Sequence, residues 1–108
     1  MDDQLEKAIF SIISNAGEAR SMVFQAIQTA KDGFIDEARE LMNGSRELTL
    51  AAHKQQMELL VMEAQGNPVG SSVLLIHAED ILMATVTERD LGQFIIDLFE
   101  KINEHKHV

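Results

Sequence analysis

The chain has 108 residues, of which 18 are acidic and 9 basic, for a formal charge of −9. It therefore lacks the basic footprint that draws proteins onto nucleic acid or anionic lipid, and a basic protein partner suits it better. Cysteine is absent, which excludes disulfides, thiolate catalysis and cysteine-ligated zinc.

One domain is expected from this length, near the size at which association supplies extra burial, so an oligomer is expected as well. Tryptophan and tyrosine are missing and there is one proline; closely packed helices suit such a composition better than sheets. The opening stretch "MDDQLEKAIF" is acidic where a secretory signal would be basic, and no apolar run approaches the ~18 residues of a membrane span. A cytoplasmic protein is the expectation.

The first predicted helix covers about 3–31. Leu5, Ile9, Ile12, Ala16, Ala19, Val23, Ala26 and Ala30 recur at alternating spacings of four and three, which makes a narrow apolar seam with room for a close neighbour. "KDGF" (31–34) reads as a turn. The second predicted helix covers about 34–65, with a seam of Phe34, Ala38, Leu41, Ser45, Leu48, Ala52, Gln56 and Leu59. Gly44 lies inside it at a cost of up to ~1 kcal/mol relative to alanine.

"GNPVGSS" (66–72) is the strongest break in the chain, and Ser71 or Ser72 can cap a third helix of about 71–104. Its predicted seam is Val73, His77, Asp80, Ala84, Thr87, Leu91, Ile95, Leu98 and Ile102, flanked by Leu74, Ile81 and Phe99 on one side and by Ile76, Met83 and Phe94 on the other. Apolar character on so many faces exceeds what one bundle contact uses. The expected fold is all-α, an antiparallel up-down-up three-helix bundle whose third helix also packs against copies of itself or another chain.

Two polar groups on that apolar helix are the candidate chemistry. A carboxylate on a seam must be neutralised. If third helices meet on a three-fold axis, three copies of Asp80 face one another and a hard cation such as Mg²⁺ cancels their repulsion; otherwise Asp80 is protonated or wet. His77 is either a hydrogen-bonded structural histidine or a nucleophile whose neutral imidazole attacks a phosphoryl donor and later surrenders the group. His53 and Gln56, in "AAHKQQMELL" (51–60), are spaced to face a cleft against the third helix, where they either support such a site or make a structural hydrogen bond. No His-Glu-x-x-His motif or glycine-rich phosphate loop is present.

These residues carry a resemblance. "AGEARS" (16–21), "AHKQQMELL" (52–60) and above all "LLIHAEDILM" (74–83) resemble the enzyme IIA components of the lactose/cellobiose class of the bacterial phosphoenolpyruvate-dependent sugar phosphotransferase system. The third motif is similar to that family's Leu-Leu-Val-His-Ala-Gln-Asp-His-Leu-Met signature. The resemblance implies a homotrimer of three-helix protomers that takes a phosphoryl group from the phosphocarrier protein HPr and passes it to a cysteine of the cognate IIB component, during uptake of a lactose-, cellobiose- or chitobiose-type disaccharide. It places the phosphorylated histidine on His77, the Mg²⁺-binding aspartate shared by three subunits on Asp80, and the supporting pair on His53 and Gln56. The chain departs from the pattern at Glu79, where the family usually has Gln, at Ile81, where it often has His, and at Met57, where it often has Thr. Glu79 puts a negative charge near a group that must become a phosphate, so transfer rate and partner preference are open to change.

Two other readings compete with the phosphocarrier. A two-component histidine phosphotransfer domain usually has Lys and Gly soon after its nucleophile, whereas Ala78, Glu79 and Asp80 follow His77. A non-catalytic helical adaptor would use His77 and Asp80 only to set register or oligomer state.

Overall fold

A computed structural model describes residues 3–70 and 72–106. Three helices make it up: α1 (Asp3–Lys31), α2 (Ile35–Ala64) and α3 (Val73–Lys106). They lie side by side in a rod of 61 × 20 × 19 Å. The ends fall within two residues of those expected.

The same device stops α1 and α2. Gly33 has φ +99° and Gly66 has φ +86°, left-handed values that cost glycine little. At the first stop the Gly33 and Phe34 amides donate to the carbonyls of Ala30 and Thr29; at the second, the Gly66 and Asn67 amides donate to those of Glu63 and Met62. This is the Schellman arrangement, which satisfies carbonyls a helix end would otherwise leave unpaired. α3 starts at Ser72, whose Oγ accepts the Leu75 amide at 3.1 Å. The other capping candidate, Ser71, lies outside the described residues.

α1 buries the face its spacing predicts, from Ile9 through Ala30, with only Leu5 left partly exposed. On α2 the buried residues are Ala38, Met42, Ser45, Thr49, Ala52 and Leu59, while Phe34 is exposed just ahead of the helix. Gly44 faces α1, where a Cβ would meet the flexible end of the Met22 side chain, so a larger residue there would require that methionine to shift.

α3 inverts the expectation. All nine residues of its predicted seam are exposed, and Ala78, Leu82, Thr85, Gly92 and Ile96 are buried instead. Three of the five inward residues, Ala78, Thr85 and Gly92, are small and let α1 and α2 approach around Leu82 and Ile96; a Cβ on Gly92 would already lie 3.1 Å from Val23 Cγ1. Of the two flanking sets, Leu74, Ile81 and Phe99 pack partly against the core. Ile76, Met83 and Phe94 face outward, Phe94 being 71% exposed.

The core is split. One apolar cluster holds Ile9, Ile12, Ala16, Ala52, Leu59, Ala78 and Leu82, and the other holds Val23, Ala26, Ala30, Ala38, Met42 and Ile96. The hydroxyls of Ser45, Thr49 and Thr85 are buried with them. Thr85 Oγ1 donates to its own helix at the Ile81 carbonyl, 2.7 Å, and lies 3.2 Å from the Ala16 carbonyl of α1. Ser45 Oγ donates to the Met42 carbonyl and accepts from Nε of Arg89 at 2.9 Å. Burial pushes the Arg89 guanidinium below its ordinary range; Asp90 works against that shift and Arg46 adds to it.

Polar links tie α2 to α3 along their length: Arg39 with Asp97 and Glu100, Ser45 with Arg89, and Gln56 with Glu79. Residue numbers rise on α2 as they fall on α3. Between α1 and α3 they rise together, Ala16 with Thr85 and Arg20 with Glu88.

Candidate functional site

His77 and Asp80 stand on the outward face of α3 and both are exposed. A helix advances ~100° per residue, so residues three apart project within roughly 60° of each other. Around them on the same face lie Val73, Ile76, Met83, Leu91, Phe94 and Leu98, all exposed. Runs of apolar surface on this scale mark interaction sites.

The turn carrying His77 is anchored from behind. Ala78, the next residue, is fully buried, as is Leu82, and Leu74 and Ile81, three residues before and four after the histidine, pack against the same core cluster. The imidazole thus projects from a backbone held on its far side by packing. Among the described residues, no hydrogen bond or ion pair engages the side chains of His77, Asp80 or His53.

Gln56 does not join His77. Its amide donates to a carboxylate oxygen of Glu79, and Glu79 comes two residues after His77, which turns it ~160° away around the helix. His53 is exposed on α2, with no bond to the α3 pair. Of the four residues singled out from the sequence, a single chain therefore places His77 and Asp80 together and puts Gln56 on the opposite flank. Glu79 had drawn notice for its charge; its partner could not be found by spacing, because 23 residues separate the two.

One chain offers a single carboxylate at this spot, and no group of three or more His, Asp or Glu among the described residues is placed to hold a metal. Asp80 has the chemistry to ligate a hard cation, being an exposed, unpaired oxygen donor, but the remaining ligands would have to come from other copies. A groove of about 370 Å³ between α1 and α2, lined by residues that include Leu5, Ala8, Gln55, Leu59 and Met62, contains none of the candidate residues. The His77 face is exposed and His77 lines none of the described grooves, which suits meeting another protein better than enclosing a small molecule. No helix among the described residues is long and apolar enough to cross a membrane.

The chain is similar to known proteins along nearly its whole length. It is 39% identical over 106 residues to the lichenan-specific phosphotransferase enzyme IIA component of Bacillus subtilis, covering 98% of this chain and 96% of that one. It is 34% identical to the N,N'-diacetylchitobiose-specific EIIA component of Escherichia coli, with 93% and 86% covered. Among solved structures, the cellobiose-specific enzyme IIA from Bacillus anthracis superposes with a TM-score of 0.92 at 41% identity, over 96% of this chain and 95% of that one. The IIA(Chitobiose) structure from Escherichia coli, solved in complex with HPr, gives 0.80 at 33% identity over 94% and 98%. The family described as "PTS system, Lactose/Cellobiose specific IIA subunit" matches residues 7–100, and with His77 and Asp80 side by side on an anchored, outward-facing helix, this chain belongs to that family.

Proposed function

We propose that the protein is a cytoplasmic phosphocarrier in which His77 accepts a phosphoryl group from phospho-HPr and yields it to the cognate IIB component, serving uptake of a lactose-, cellobiose- or chitobiose-type disaccharide. The observation that carries this reading is His77 itself: an exposed, unpartnered imidazole on a turn packed rigidly from behind. In the transfer, a ring nitrogen of His77 attacks phosphorus, the bond to the donor's imidazole nitrogen breaks, and the electron pair stays with the donor. Such transfers ask a scaffold for positioning and electrostatics more than for covalent chemistry. The anchored turn supplies positioning, and the acidic surface suits a basic partner.

In this reading the protomer is an antiparallel up-down-up bundle, supported by the opposite pairing order of α2 with α3 and the matching order of α1 with α3. Three protomers associate through the outward apolar face of α3, which accounts for the exposure there of Leu91, Phe94 and Leu98. Asp80 of three copies would then meet on the axis and hold a divalent cation such as Mg²⁺, whose contribution is to neutralise their charge. Gln56 and His53 are supporting residues, Gln56 by way of Glu79.

The test is incubation with phosphoenolpyruvate, enzyme I and HPr, followed by intact mass and peptide mapping under conditions that preserve phosphohistidine. One acid-labile phosphoryl group per chain on the His77 peptide, dependent on HPr, is the expected result. A folded protein that stays unlabelled beside an active relay would overturn the carrier reading and leave a helical adaptor.

A further inference from the structure

Glu79 occupies an uncommon position. It is part-buried against α2, held by the Gln56 amide, and it sits two residues from the proposed phosphoryl acceptor. Gln56 gives it a hydrogen bond but no positive charge. The arginine ion pairs among the described residues go elsewhere, Arg20 to Glu88 and Arg39 to Asp97 and Glu100. A fixed and uncompensated carboxylate thus lies behind His77, roughly 10 Å away by helix geometry. Asp80, the nearer acid, differs in being fully outward, where an axial cation can neutralise it.

We infer that Glu79, positioned by Gln56, sets the phosphoryl-transfer potential of His77: its charge disfavours the phosphorylated state and drives the group onward. The inference rests on the phosphocarrier reading. A phosphoryl group brings about two negative charges, and repulsion by one fixed charge at this distance, weakened to its lower limit by the solvent that both groups reach, corresponds to about a threefold change in equilibrium. Gln56 keeps the charge at a constant distance instead of letting it move into solvent. It acts through Glu79, and Glu79 acts through its field on the phosphoryl group.

The experiment measures the equilibrium of phosphoryl exchange between HPr and this protein, after enzyme I and phosphoenolpyruvate are removed. An equilibrium ratio is independent of encounter rate, so an effect of Glu79 on docking kinetics does not enter it. The phosphorylated fraction is read by intact mass at neutral pH for the wild type, Glu79→Gln and Glu79→Asp. Glu79→Gln keeps size and can still bond to Gln56. The expected result is a ratio about threefold higher for Glu79→Gln at low ionic strength, shrinking to under about 1.5-fold near 0.5 M salt as the charge is screened. Glu79→Asp, which keeps the charge, stays at the wild-type value. An unchanged ratio for Glu79→Gln at low salt, or a shift that salt does not reduce, overturns the inference while the carrier reading stands. A wild type that takes up no phosphoryl group overturns both.

Discussion

The Gln56 amide of α2 donates to the Glu79 carboxylate of α3 on the flank of the helix turned away from His77. Without Gln56, a part-buried carboxylate loses its hydrogen-bond donor, and hydrogen bonds to charged groups are worth more than neutral ones. Gln56→Leu is therefore expected to lower stability by about 1 kcal/mol, allowing for partial solvent access. Urea unfolding checks it. Replacing both partners, Gln56→Leu with Glu79→Leu, is expected to recover most of the loss, because no polar group is then stranded.

His77→Gln is expected to abolish phosphoryl acceptance and leave stability within about 0.5 kcal/mol of wild type, since the residue is exposed and unpartnered. Labelling through the complete relay, alongside thermal unfolding of the same sample, measures both. Residual label on the His77→Gln variant would place the acceptor elsewhere.

The two faces of α3 are expected to separate folding from association. Leu82 is buried and Leu98 is 58% exposed. Leu82→Ala should destabilise the chain by about 2–4 kcal/mol through cavity formation. Leu98→Glu should leave the protomer's helicity intact and reduce the assembled mass, because a charge on an apolar contact face is costly to bury. Sedimentation equilibrium and circular dichroism distinguish these outcomes.

Asp80 and a divalent cation form a linked pair of predictions. If three copies hold the ion, chelation lowers the melting temperature of the wild type by removing a ligand bound only to the assembled state. Asp80→Asn removes the repulsion and the ligand charge, leaving a neutral amide oxygen that holds a hard cation far more weakly, so its melting temperature should respond little to chelator. Scanning calorimetry with and without EDTA provides the comparison, and equal sensitivity of the two proteins would exclude a cation at Asp80.

Thr85→Val tests the buried hydroxyls. The Thr85 hydroxyl links α3 to the Ala16 carbonyl of α1 at a fully buried position. Valine keeps the shape and removes the bond, at an expected cost of about 1–2 kcal/mol, measured by urea unfolding.

Much of this protein was legible before any coordinates. The spacing from Leu5 to Ala30 identified the buried face of α1, and Gly33 and Gly66 stop helices where their sequence context predicts, because these are local consequences of helix periodicity and backbone sterics. His77 and Asp80 stood out because polar groups on an apolar helix need a reason, and their surrounding motif carried the family resemblance. The inward face of α3 was not legible. Apolar spacing shows that a stripe will be covered, but not by what. Here Ala78, Thr85 and Gly92 turn inward with Leu82 and Ile96, because α1 and α2 need the room the small residues leave, and Leu91, Phe94 and Leu98 stay outside. The Gln56–Glu79 bond was hidden for the same reason: its partners are far apart in the chain, and only packing α2 against α3 brings amide to carboxylate. Local sequence determined the helices, their ends and the pairing of His77 with Asp80 on one face. Tertiary packing decided which face of α3 the chain buries against itself and which it leaves exposed, since that choice depends on the summed fit of three helices.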